Sequence, residues 1–221
     1  MAKTFDLIVF DWDGTLMDST AHIAVSIQRG CEEVGLPVPS LQAARQVIGL
    51  SLAQALATVS PGLTADRQQA LAAAYRRHFF LGDQTVTMFD GVHAGLDAIE
   101  RQGTLLAVAT GKSRRGLDRA LEASGLCGRF AATRTQDDCP SKPHPAMLLE
   151  IMDELGVAPE RTLMVGDTTH DLEMARQAGT PRVGLCHGAH TREALEGCEP
   201  LALLDDFLSF NAWLAPMLSP A

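Results

Sequence analysis

Leu7-Ile8-Val9-Phe10-Asp11-Trp12-Asp13-Gly14-Thr15 is an apolar run that stops on two carboxylates flanking one aromatic residue. Four branched or aromatic residues close to a turn-forming glycine predict a short strand buried on both faces, the pattern of a central strand in a parallel sheet. Asp11 and Asp13 then lie at its carboxyl end, where open α/β sheets bind ligands. Two acids so placed repel each other unless a cation or a division of labour relieves them. Asp-x-Asp-Gly alone is also what a strand followed by an acidic turn looks like, so the rest of the chain has to decide.

Beyond Thr15 the pattern turns helical for a long interval. Asp18-Ser19-Thr20 offers N-cap chemistry for a helix from Ala21 to Val34, with Ile23, Ile27 and Val34 on one face and Gly35-Leu36-Pro37 as its stop. Ser40 caps Leu41 to Ile48, and Thr64 or Asp66 starts a helix that runs to about Leu81. No buried strand is predicted between Asp18 and Thr87.

Strand and helix then alternate: helix Gly91 to Arg101, strand Leu105 to Ala109, helix Gly116 to Ser124 and a weak strand Phe130 to Thr133. Helix Pro145 to Leu155, strand Thr162 to Val165, helix Asp171 to Ala178 and strand Arg182 to Cys186 follow. An edge strand, Leu201 to Leu204, and a terminal helix, Phe207 to Leu214, complete the chain. Short connections between such units imply right-handed crossovers and a doubly wound, Rossmann-like parallel sheet. The expected organisation is a core of residues 1–17 and 88–221 with an inserted α-helical cap at 18–87.

Composition narrows the partners. The 221 residues are 46 % apolar and 20 % charged, as in an ordinary globular protein, and the formal net charge of −9 argues against nucleic acid. The first apolar run is too short for a signal peptide or a membrane span, so a cytoplasmic location is expected. Five scattered cysteines, without a Cys-x-x-Cys pair, predict reduced structural thiols. Only three lysines occur, Lys3, Lys112 and Lys142, which makes each position informative.

The predicted strands deliver polar residues to one sheet edge. Leu105 to Ala109 leads to Thr110-Gly111-Lys112, Thr162 to Val165 leads to Gly166-Asp167, and Asp171 opens the next helix. Lys142 precedes another helix start. Singly, Thr110 reads as a helix cap, Asp171 as an acid at a helix dipole and Lys142 as a solvated charge. Together they put three or four carboxylates, a hydroxyl and an ammonium at one place, a set suited to a hard divalent cation such as Mg²⁺.

With these residues in that order, the sequence resembles the haloacid dehalogenase-like hydrolase superfamily, in the branch of the small phosphatases typified by phosphoglycolate phosphatase. The resemblance rests on Asp11-Trp12-Asp13-Gly14-Thr15, Thr110-Gly111, Lys142-Pro143 and Gly166-Asp167-Thr168-Thr169-His170-Asp171. It implies a Mg²⁺-dependent phosphatase acting on a small phosphate monoester such as 2-phosphoglycolate. In that scheme Asp11 is the nucleophile forming an aspartyl-phosphate, and Asp13 is the general acid and base. Mg²⁺ is held by Asp11, the backbone carbonyl of Asp13, Asp167 and Asp171, the last as a ligand or an orienter. Thr110, Gly111 and Lys142 bind the phosphoryl group.

A second anion on phosphoglycolate calls for a cation from the cap, which holds Arg29, Arg45, Arg67, Arg76 and Arg77 but no lysine. Arg45 is the chosen candidate because it precedes a loop that can turn toward the core; Lys112 is a second contact from the core side. His187 and His190 lack a third ligand and read as loop residues, as does His170, while Trp12 is expected to point away from its aspartates and either pack or gate the cleft. A sugar phosphomutase or a phospho-accepting signalling module are the alternatives, and monomer and dimer both remain open. Asp13, Asp167 and Asp171 argue against a dehalogenase.

Overall fold

The computed structural model describes residues 4–82 and 86–218, so Lys3 and residues 83–85 of the expected cap lie outside the described residues. Strand β1 (Leu7–Phe10) is wholly buried and sits in the middle of a six-stranded sheet. The others are β2 (Leu105–Ala109), β3 (Ala132–Arg134), β4 (Thr162–Gly166), β5 (Arg182–Leu185) and β6 (Ala202–Leu204). Their order is β3-β2-β1-β4-β5-β6, and every pairing is parallel. The direction of winding reverses between β1 and β4, so the crevice at their carboxyl ends is a topological switch point. Phe10 is level with Val108 on one side and Val165 on the other, which brings the residues after each strand to the same height.

Side chains alternate across β1 because the strand repeat is two residues. Ile8 and Phe10 enter a cluster with α5 (Val92–Arg101) and α10 (Phe207–Leu218), while Leu7 and Val9 enter another with α7 (Ala146–Leu155) and α8 (Thr169–Ala178). Phe10 meets Phe207 and Phe210, each with ring centroids 5.9 Å away. Both faces are therefore covered, which is why the strand carries no polar residue.

Between β1 and α5 lie four helices, α1 (Thr20–Glu33), α2 (Leu41–Gln46), α3 (Leu52–Val59) and α4 (Ala65–Gly82). They build their own apolar cluster from residues such as Ile23, Ile27, Leu56 and Leu71. His22 ties α1 to α4 by a 2.7 Å hydrogen bond from Nε2 to the Phe79 carbonyl.

Several boundaries move for local reasons. Helix α3 was not expected; Ser51 caps it by accepting from the Gln54 N–H. Helix α6 (Arg114–Ser124) starts two residues early because the Ser113 hydroxyl accepts from the Gly116 N–H. Thr168 and Asp171 form a reciprocal capping box that starts α8 at Thr169. The short α9 (Arg192–Glu196), capped by Thr191, was also missed. Strand β3 lies slightly later than expected, and α10 continues through Pro216 to Leu218.

Phe10→Ala should lower the free energy of unfolding by about 3–5 kcal/mol, the usual cost of emptying a well-packed aromatic site. Urea unfolding followed by circular dichroism measures this.

Candidate active site

The chain leaves β1 at Asp11, whose N–H donates to the Val165 carbonyl at 3.0 Å. It turns at once: the Trp12 carbonyl accepts from the N–H groups of Leu16 and Met17, both at 3.0 Å. Gly14 has φ +84°, and a Cβ there would lie 2.2 Å from Asp167 Oδ2. Only glycine satisfies both demands. The turn carries Thr15 back under the sheet edge, where its hydroxyl donates to Asp167 Oδ1 at 2.7 Å. The backbone N–H of Ala189, in the loop after β5, donates to Asp167 Oδ2 at 2.7 Å.

Lys142 is fully buried at the centre of the acids. Its Nζ donates to Asp171 Oδ1 at 2.6 Å and stands 2.7 Å from Asp11 Oδ1 as an ion pair. Asp171 Oδ2 accepts from the Thr168 hydroxyl at 2.6 Å and from the Thr168 N–H at 3.1 Å. Asp11 differs from its neighbours: it is buried, and its carboxylate has the Lys142 ammonium, 2.7 Å from Oδ1, but no hydroxyl or backbone N–H donor. Asp11, Asp167 and Asp171 each offer a carboxylate oxygen within 4.8 Å of the others.

Burial and crowding by acids disturb these groups. The Asp11 carboxyl is pushed up to about 7, chiefly by burial, with Asp171 and Asp13 adding to the rise and Lys142 opposing it. Asp167 is raised well above the carboxylate range by burial and by Asp11 and Asp171. Burial alone would lower the Lys142 ammonium, but Asp11 and Asp171 outweigh it and hold the group above its ordinary value. Asp11 and Asp171 thus share one ammonium, Asp167 has only neutral donors, and Asp11 lines the cavity. This donor set fits a hard, oxygen-loving divalent cation, which the acids could hold.

Asp13 occupies the opposite wall, its Oδ1 accepting from the Ser19 hydroxyl at 2.6 Å and its Oδ2 lying 2.9 Å from Lys112 Nζ. Thr110 is buried beside it and accepts the Lys112 N–H at 3.2 Å. Asp11, Asp13, Thr110, Gly111 and Lys112 line the floor of a cavity of about 200 Å³ whose roof comes from α1, α4 and the α2–α3 loop. A Cβ on Gly111 would meet the Leu50 carbonyl oxygen at 2.4 Å, so only glycine lets that loop approach. The loop is fastened by two core side chains: Ser141 Oγ accepts the Ser51 N–H at 2.8 Å, and Gln136 Oε1 accepts the Leu52 N–H at 2.9 Å.

A family model described as haloacid dehalogenase-like hydrolase matches residues 8–185. The chain belongs to the haloacid dehalogenase-like hydrolases. Among curated relatives it is 36 % identical to the "Probable phosphatase IndB" of Dickeya dadantii, over 91 % of this chain and 90 % of that one. It is 32 % identical to a phosphoglycolate phosphatase of Pseudomonas putida, over 90 % of this chain and 76 % of the relative. A crystal structure of a predicted phosphoglycolate phosphatase from Haemophilus somnus 129pt superimposes with a TM-score of 0.84 at 28 % identity, covering 96 % of this chain and 99 % of that one.

The hydrolase thus brings together Asp11, Asp13, Thr110, Gly111, Lys112, Lys142, Asp167 and Asp171, which are scattered in sequence. Arg45 goes elsewhere: its guanidinium donates to the carbonyls of Gly188, at 2.5 Å, and Ala189, at 3.4 Å, and it does not line the cavity. His190 and His170 are also engaged with the helical insertion, each placing Nε2 3.2 Å from the Gln46 carbonyl. Trp12 is buried and packs edge-on to Phe130, as expected. Ser19 was expected only as a helix cap; it occupies the N-cap position but caps nothing, because its hydroxyl is turned to Asp13. Thr15 and the Ala189 N–H were not anticipated as supports for Asp167. A hydroxyl following the motif glycine was a visible signal for Thr15, whereas a backbone N–H leaves none.

Lys142→Met would leave Asp11 and Asp171 without their cation, a loss of about 3–5 kcal/mol of stability by analogy with broken buried ion pairs. A carboxyl whose pKa is raised by folding binds its proton more tightly in the folded state, so it weighs more on stability as pH rises from 3.8 to about 7. The loss should therefore be larger at about pH 8 than at about pH 5, as urea unfolding at both values will show.

Proposed function

We propose that this hydrolase is a Mg²⁺-dependent phosphatase that cleaves a small phosphate monoester through an aspartyl-phosphate. The observation that carries this is Asp11: a buried carboxylate without a hydroxyl or backbone N–H donor, 2.7 Å from the Lys142 ammonium, at the floor of a cavity opposite Asp13. The domain division goes with it, residues 1–17 and 88–221 forming the core and 18–87 the cap that roofs the site. The phosphoglycolate phosphatases among the relatives make 2-phosphoglycolate one ester to test. The free thiols of all five cysteines support a cytoplasmic setting.

An Asp11 oxygen forms a bond to phosphorus as the ester P–O bond opposite it breaks. Asp13, aimed by Ser19 and Lys112, hands its proton to the departing oxygen, so the alcohol leaves and Asp11 carries the phosphoryl group. Water then attacks phosphorus while Asp13 takes its proton. The bond to Asp11 breaks, which restores the carboxylate and releases inorganic phosphate. Lys142, Thr110 and the Gly111 backbone hold the phosphoryl oxygens and offset their charge.

Asp11, Asp167 and the Asp13 backbone carbonyl are the groups available to hold Mg²⁺. When bound, the ion supplies positive charge to the carboxylates and the phosphoryl oxygens. Asp171 offers a third carboxylate to the ion and also positions Lys142, its Oδ1 accepting from that ammonium and its Oδ2 from Thr168. Arg45, joined to the loop that presents Ala189 to Asp167, is a positioning residue and not a substrate contact.

Asp11→Asn should abolish release of phosphate from esters while preserving the circular dichroism spectrum; near-normal turnover would remove the nucleophile assignment. In metal-free protein, added Mg²⁺ should raise Tm, and by more at about pH 8 than at about pH 5, because the acids with raised pKa must lose protons to bind it. Differential scanning fluorimetry at the two pH values reads both.

A further inference from the structure

The two ends of the cavity differ in kind. Its floor carries Asp11, Asp13, Thr110 and Lys112, but its roof is made of Ile23, Ile27, Val47, Ile48, Tyr75 and Phe79. Phe79 is half-buried, stacked on Tyr75 at 5.8 Å, and lies under the Lys112 ammonium at 5.1 Å. The hydrogen bond from His22 to the Phe79 carbonyl fixes this part of α4 over the site.

A substrate with a second anion needs a cation in that roof. Among the described residues the cation nearest the roof is Lys112, over the Phe79 ring, and it is paired with Asp13 at 2.9 Å, while Arg45 is engaged by the Gly188 and Ala189 carbonyls. The remaining cations of the lining, Arg76 and Arg119, are exposed at the rim, with Arg119 lying over the Phe80 ring at 4.9 Å. A carboxylate pressed against the roof would lose water without gaining a partner. An apolar ring would lose water favourably and meet Phe79 in a stacked or edge contact.

Resting on the phosphatase reading above, we infer that the substrate is the phosphate monoester of an apolar, ring-bearing alcohol or phenol. Its ring lies against Phe79 and Tyr75 while its phosphoryl group faces Asp11. 2-Phosphoglycolate, small and carrying a carboxylate besides its phosphate, is then a poor substrate of this enzyme, although several relatives are named for it.

The test compares benzyl phosphate with 2-phosphoglycolate on the Mg²⁺-loaded wild type, Phe79→Ala and Phe79→Leu. Wild-type kcat/KM should favour benzyl phosphate by about tenfold or more, and Phe79→Ala should remove about tenfold from that ester, through KM, so that its advantage over 2-phosphoglycolate is lost. Phe79→Leu, which keeps the bulk but not the ring, should fall between. Calorimetry on Asp11→Asn with Mg²⁺ adds a readout free of turnover, in which 2-phenylethylphosphonate should bind more tightly than 3-phosphonopropionate. Equal or better hydrolysis of 2-phosphoglycolate, or equal binding of the two phosphonates, overturns the ring pocket. Preferential binding of the phenyl compound with no ester hydrolysed by the wild type upholds the pocket and overturns the phosphatase reading.

Discussion

One buried ammonium holds the site together. Lys142 lies between Asp11 and Asp171, and without it three carboxylates would share a dry space at the end of the sheet. Charges so placed are tolerable only when paired, because burial removes the water that would otherwise screen them. Every neighbour reflects this constraint. Thr168 satisfies the oxygen of Asp171 that Lys142 does not reach, and Thr15 with the Ala189 N–H satisfies Asp167. Asp11 has the ammonium but no hydroxyl or backbone donor, and it lines the cavity.

The strand order makes that arrangement possible. Because β1 lies between β2 and β4, with the same register on both sides, Asp11 comes level with Ala109 and Gly166, and Thr110 and Asp167 follow within one residue at the same sheet edge. Lys142 reaches them from the loop before α7, and Asp171 from the first turn of α8. Glycines then permit close approach. Cβ atoms at Gly14, Gly166 and Gly188 would each collide with the side chain of Asp167 or Asp171, so the acids are packed against bare backbone.

The helical insertion meets the core on two sides. On one, the Gly49-Leu50 turn rests on Gly111, and the first N–H groups of α3 find Ser141 and Gln136. On the other, Arg45 and the Gln46 carbonyl engage the loop of residues 188–190 and the start of α8. That second attachment occupies Arg45, near the end of α2, with backbone carbonyls outside the cavity lining. The same loop presents the Ala189 N–H to Asp167, so the insertion and the acid cluster share a support.

The sequence by itself determined the alternation of strands and helices, the helical interval after the first strand, and the chemistry-bearing residues that follow the core strands. These are local properties: a run of branched side chains, a capping hydroxyl or a glycine after a carboxylate acts over a few residues. The tertiary structure alone decided what those residues meet. Ser19 has the sequence context of a cap but finds Asp13, Arg45 has the context of a ligand but finds backbone carbonyls, and the Ala189 N–H has no side-chain signature at all. Whether the roof over the acids is charged or apolar was equally hidden, since α1, α2 and α4 each carry both kinds of residue. Only their packing selects which side chains turn toward the site.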